Sequence, residues 1–180
     1  MKKFFASVEK ICCEFYPAFY IYHRIYKNVM RNEIKLANIT SKDVVLNIGC
    51  GAVPFTALHI VQMTGAKVIA LDKDKEAVEK AKKCLSKYKM QKNIEIVVGD
   101  GIVENLPDFT VAIIALHVKE KAKMLENLKL AKKTGTRVIF RQPAAGYEEE
   151  YGCLPDNYIP NCKISQKMKA FNESHLYLIE

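Results

Sequence analysis

The run Val44-Val45-Leu46-Asn47-Ile48 passes directly into Gly49-Cys50-Gly51 and then Ala52-Val53-Pro54. An apolar stretch of strand length therefore ends in Gly-x-Gly, and a helical pattern follows it. Glycine carries no Cβ, so backbone at such a junction can approach a ligand closely. A second apolar run, Val68-Ile69-Ala70-Leu71, ends in Asp72, 23 residues after Gly49. An acid at the tip of a second strand is placed to accept hydrogen bonds from a ribose diol. The pair predicts an adenosine-containing cofactor, with Gly49, Cys50, Gly51, Asp72 and the adjoining Lys73 as binding candidates.

From Ser41 onward the pattern alternates strand and helix. Strands are expected at 44–48, 67–71, 94–98, 110–116 and 136–140, and helices at 54–63, 75–89 and 118–133. Pro54 suits a helix start, where its missing N–H costs nothing. Gly65 and Gly135 suit helix stops, and Asp74 suits an N-cap. Two last strands, 163–171 and 175–179, are separated by Asn172-Glu173-Ser174 and read as a hairpin. Such repeats imply a mostly parallel sheet with helices on both faces. Residues 1–40 differ: they are rich in Phe and Tyr, lack glycine, and read as two helices broken near Pro17. That segment either covers one flank of the core or caps the substrate site, and 41–180 form the ligand-binding domain.

At 180 residues one domain is expected. No run of about 20 residues is free of charge, so no membrane span is expected, and Glu9 and Lys10 interrupt the opening apolar stretch before it could serve as a signal peptide. A cytoplasmic protein follows. Six cysteines contain no Cys-x-x-Cys pair and lack a histidine cluster at zinc spacing, so reduced thiols and no metal are expected. The net charge of +8 raises the question of RNA. Nearly all of it, however, is lysine, much of it interleaved with glutamate in predicted helical stretches, the pattern of a solvated face.

The succession resembles the class I S-adenosylmethionine (SAM) methyltransferase superfamily over about 42–180. Gly49-Cys50-Gly51 is similar to that family's first glycine loop and Asp72 to its ribose-binding acid. Asp100, in Val98-Gly99-Asp100-Gly101, is similar to the acid after strand 3 that receives the adenine amino group, and Gly101 goes with it. Ala115-Leu116-His117 takes the place that faces the reacting centre. The resemblance implies a Rossmann-like α/β fold with a seven-stranded sheet, a C-terminal antiparallel hairpin and SAM as cofactor. Two departures stand out. Asn47 replaces the usual acid two residues before the first glycine, and can orient backbone or a ligand amine but brings no charge. Val53-Pro54 replaces the third glycine. That variant loop, Gly49-Cys50-Gly51-Ala52-Val53-Pro54-Phe55-Thr56, resembles the loop of nicotianamine synthases, and Arg137 to Gly146 resembles their strand 5. Those enzymes transfer the 3-amino-3-carboxypropyl group of SAM to an amine and leave methylthioadenosine.

Transfer from a sulfonium needs alignment and exclusion of water more than acid–base chemistry, so a sparse catalytic signature is expected. His117 is a candidate to take a proton from an attacking amine, or simply ends a strand. Arg141 could hold a carboxylate of the substrate or of the SAM methionine moiety bidentately, or pair with Glu148, Glu149 or Glu150. Tyr147 and Tyr151 are candidate walls of the acceptor pocket, and His59 reads as a packing residue. Three functions stay open: a SAM-dependent methyl or aminocarboxypropyl transferase acting on a small amine, an RNA methyltransferase, and a non-catalytic nucleotide-binding module. The RNA reading lacks the Asn/Asp-Pro-Pro-aromatic element that holds a flipped base.

Overall fold

A computed structural model describes residues 16–90, 92–102, 106–131 and 134–180. Its elements are α1 (Tyr16–Leu36), β1 (Val44–Ile48), α2 (Phe55–Thr64), β2 (Lys67–Asp72), α3 (Lys75–Lys87), β3 (Ile94–Val98), β4 (Val111–Ile114), α4 (Lys121–Ala131), β5 (Arg137–Pro143), α5 (Glu148–Tyr151), β6 (Cys162–Ser165) and β7 (Phe171–Leu178). The seven strands form one sheet in the order β3-β2-β1-β4-β5-β7-β6. The strands β1 to β5 are parallel, and β7 runs antiparallel between β5 and β6. This is the Rossmann-like methyltransferase arrangement. The chain reverses its direction of build between β1 and β4, and in such sheets the crevice beyond the strand ends at that point receives ligands.

Strand alternation divides the core in two. Val45, Val68, Ala70, Val111, Ile113 and Ile139 face Met30 of α1, Ala57 and Ile60 of α2, and Val78 and Leu85 of α3. Leu46, Ile48, Ala112, Ile114, Val138 and Phe140 face Met124, Leu125 and Leu128 of α4. Each large apolar side chain so buried contributes about 1.5–3 kcal/mol, which is why the central strands are apolar on both faces. The expected helix signals operate. Asp74 Oδ1 accepts from the backbone N–H groups of Glu76 (2.9 Å) and Ala77 (3.4 Å). Gly65 closes α2 in the left-handed region at φ 74°, its N–H donating to Val61 O.

The described part of the N-terminal segment is one helix, α1, with Pro17 in its first turn, where proline is tolerated; the helix expected before Pro17 lies outside the described residues. Two expectations need correction. The C-terminal hairpin turns earlier than its sequence implies. Asn172, Glu173 and Ser174 lie inside β7, and the connection is 166–170. Ser174 is fully buried and donates to the carboxylate of Glu33 in α1 (2.8 Å), so a turn-forming residue is held in a strand by a distant acceptor. Finally, α4 starts at Lys121 rather than Val118. Residues 118–120 instead form part of a cavity wall.

Candidate active site

A cavity of about 910 Å³ opens beyond the carboxyl ends of β1, β2, β3 and β4, a size suited to a small-molecule site. Its inner edge is the glycine loop. Gly49 and Gly51 adopt φ of 79° and 67°, a region that residues with a Cβ enter at a cost. The N–H groups of Gly49 and Cys50 both donate to Leu71 O, at 2.8 and 3.1 Å, which fastens the loop to the end of β2. A Cβ at Gly49 would stand 3.1 Å from both Ala115 Cβ and Val118 Cγ2. The Cys50 thiol is buried and points to Gly51 O, 3.6 Å away.

Asp72 stands at the end of β2, half-buried in the cavity wall. One carboxylate oxygen accepts from Gly51 N–H (2.8 Å) and the other from Asp74 N–H (3.0 Å). Each oxygen keeps a further lone pair for a ligand. Gly99 N–H donates to Asp72 O (2.9 Å), which brings the end of β3 alongside. Asp100 follows there, with Oδ1 accepting from Ile102 N–H (3.1 Å). A Cβ at Gly101 would lie 2.9 Å from atoms of Ile48 and Met124, so glycine keeps this floor open. Lys73 lies exposed on the rim.

The rest of the wall comes from the loop after β4 and from four further elements. His117 lies on it, exposed in the loop after β4, its ring edge-to-face with the buried Tyr151 at 5.2 Å. Tyr26 of α1, Phe55 and Thr56 of α2, Arg141 of β5 and Phe171 of β7 complete it. Burial pushes the Tyr26 phenol above its ordinary range, against the opposing pull of the Arg141 cation.

Arg141 is only 2% exposed, and its charge is already engaged. Its Nε and Nη2 each donate to Glu33 at 2.8 Å, Nη2 also reaches Thr56 Oγ1 at 3.1 Å, and Tyr26 and Phe171 present ring faces to it at 5.2 and 5.8 Å. The bidentate partner of Arg141 is thus neither of those expected: it is a carboxylate of the protein itself, Glu33, 108 residues earlier, and not Glu148, Glu149 or Glu150. Glu33 therefore ties α1 to β5 and β7.

Three sequence candidates stand outside the cavity lining: Asn47, Tyr147 and the fully buried Tyr151. Asn47 is 1% exposed within β1, donates weakly to Ile113 O (3.4 Å), and its Oδ1 accepts no hydrogen bond among the described residues. Tyr147 immediately precedes α5, makes no side-chain capping bond, and packs on Tyr151, ring centroids 6.2 Å apart. His59 is a packing residue, stacked on His23 of α1 at 3.8 Å with Nε2–H donating to His23 O (3.0 Å). Burial, then the neighbouring His23, pulls its pKa down to about 3. Sequence reading missed Tyr26, Thr56, Phe171 and Glu33. Only the aromatic richness of the N-terminal segment hinted at the first.

Four lysines on α3 and α4, Lys80, Lys82, Lys123 and Lys129, are matched by acids one turn away, as in Lys80–Glu76 (2.6 Å) and Lys129–Glu126 (3.1 Å). Among the described residues no three His, Cys, Asp or Glu side chains form a metal-binding group, and no helix is long and apolar enough to cross a membrane.

This fold and loop define a class, and residues 39–175 match the family described as methyltransferase domain; the chain belongs to that family. It is 29% identical over 139 residues to L-histidine 2-aminobutanoyltransferase of Yersinia pestis, a match covering 76% of this chain and 51% of that protein. The chain thus spans about half the length of this curated relative. Among solved structures, a mutant of the nicotianamine synthase MtNAS in complex with S-adenosylmethionine superposes with a TM-score of 0.83 at 18% identity, covering 97% of this chain and 71% of that one. An RNA methyltransferase from Salinibacter ruber in complex with S-adenosyl-L-homocysteine gives 0.69 at 18% identity, over 84% and 90% of the two chains.

Proposed function

We propose that the protein binds SAM and transfers its 3-amino-3-carboxypropyl group to the amine of a small amino-acid-like acceptor. The observation that carries this reading is the docking of α1. The matched family segment begins at residue 39, yet α1 adds Tyr26 to the cavity wall and Glu33 to Arg141 beneath it. The likeness to MtNAS takes in 97% of the chain, and the Yersinia pestis relative is named for aminobutanoyl transfer to histidine.

When bound, SAM supplies a sulfonium centre whose attached carbons are open to displacement by an amine, with a neutral thioether leaving. The residues present suit it. The spare lone pairs of Asp72 would accept from the ribose hydroxyls, and Asp100 would accept from the adenine amino group. The backbone of Gly49, Cys50 and Gly51 lets the ligand lie close to the strand ends, beside Gly101, with Lys73 on the rim. His117 would take the proton that an acceptor amine must lose. Tyr26, Phe55 and Phe171 make the acceptor end apolar, which keeps water from competing for the electrophile. In this reading residues 1–40 are the cap and 41–180 the SAM-binding domain.

Methyl transfer to the same kind of amine is the second reading, favoured by the family itself. RNA is a weaker partner, since four of the lysines on α3 and α4 are paired with neighbouring acids. Titration calorimetry with SAM tests the cofactor directly. Binding that Asp72→Ala abolishes supports the assignment, and absence of heat with the intact protein removes it.

A further inference from the structure

Lys121 opens α4, a place where a cation is opposed by the helix dipole, and it is only 1% exposed. Burying an ammonium costs several kcal/mol unless it is well compensated. Here the compensation is four backbone carbonyls: Leu116 O at 3.1 Å, Val118 O at 2.8 Å, Tyr151 O at 2.7 Å and Gly152 O at 2.9 Å. The first two flank His117, and the other two end α5. One nitrogen thus joins the β4–α4 loop to a segment 30 residues further on.

Two further observations locate the effect. Gly152 has φ 70°, and a Cβ there would stand 2.6 Å from Lys119 O, so the two segments meet at a distance only glycine permits. The ring of Tyr151, whose carbonyl is one of the four, carries the edge-to-face contact with His117. Residues 115 to 120 all line the cavity.

We propose that Lys121 is a positioning residue: its ammonium clamps the β4–α4 loop onto the end of α5 and so sets where His117 stands in the cavity wall. The reactive role of His117 rests on the function proposed above; the clamp itself does not. The clamp acts on geometry, so its loss should affect turnover more than SAM binding, which is held at the ends of β1, β2 and β3. A misplacement of about 1 Å at a reacting group costs on the order of 100-fold in rate.

The experiment compares Lys121→Met with the intact protein, alone and in a His117→Ala background. Histidine side-chain NMR provides a readout free of catalysis, the His117 signal being assigned by its loss in His117→Ala. The expected result is a displaced or broadened His117 signal with His175 unmoved, turnover lowered about 100-fold, and a SAM Kd changed by less than about threefold. In the His117→Ala background the same substitution should cost less than about twofold. An unmoved His117 signal overturns the clamp, as does an equal loss of turnover with or without His117. If the intact protein shows no turnover, the reaction assignment fails while the NMR comparison still decides the clamp. If Lys121→Met does not fold, Lys121→Arg serves, since a guanidinium keeps the charge but cannot place one nitrogen among four carbonyls.

Discussion

Replacing Glu33 by Gln should destabilise the protein by about 3 kcal/mol. Glu33 is fully buried and accepts two charged donors from Arg141 and one hydroxyl from Ser174, all at 2.8 Å. Hydrogen bonds to charged groups are worth about 1.5–3 kcal/mol each, and breaking a buried pair from one side costs about 3–5 kcal/mol because the remaining charge stays desolvated. Two features reduce the loss. The glutamine carbonyl can still accept one bond, and the rings of Tyr26 and Phe171 return about 1 kcal/mol to the guanidinium. With a urea m-value of about 2 kcal/mol/M, the unfolding midpoint should fall by roughly 1.5 M. The double substitution Glu33→Leu with Arg141→Met should recover most of this, since an apolar pair of similar volume is often neutral. A Glu33→Gln midpoint within about 0.2 M of the parent would refute the view that this pair docks α1 on the sheet.

Other expectations follow from single contacts. Asp72→Asn, which keeps one acceptor oxygen but loses the charge, should weaken SAM binding about 10- to 100-fold by calorimetry. His59 should make the fold acid-sensitive: the unfolded imidazole takes a proton below its ordinary 6.5, whereas the folded one, buried beside His23, resists until about 3. Stability is therefore complete above that ordinary value and declines as pH falls through the window, by at most about 5 kcal/mol, and a His59→Leu variant should show a flatter midpoint-against-pH profile in urea. Gly152→Ala should cost at least about 2 kcal/mol through its clash with Lys119 O and its positive φ; an unchanged melting temperature would contradict the close contact of those segments.

The parts of the site legible in the sequence are those made by short stretches of chain. Gly49 to Gly51, Asp72 and Asp100 each terminate a strand, and adjacent parallel strands bring their ends together without further information. The rest depends on partners distant in the chain. Asn172-Glu173-Ser174 has turn composition, yet β7 runs through it because Ser174 meets Glu33. Arg141 has three acidic residues close by in sequence and pairs with none of them, since its side chain faces α1 across the sheet. Lys121 resembles every other lysine of a solvated helix, and only the folded loop discloses its four carbonyl partners. Tyr26 is one aromatic among many in the segment before Ser41, and nothing local marks it as the one that reaches the cavity.

The transferred group is decided by the nucleoside that leaves. The protein should be incubated with SAM and a panel of amino acids, histidine among them, and the products separated by chromatography with mass detection. Methylthioadenosine, accompanied by an acceptor enlarged by the aminocarboxypropyl group, is the expected result. Adenosylhomocysteine with a methylated acceptor would contradict the proposed transfer while leaving the cofactor site intact.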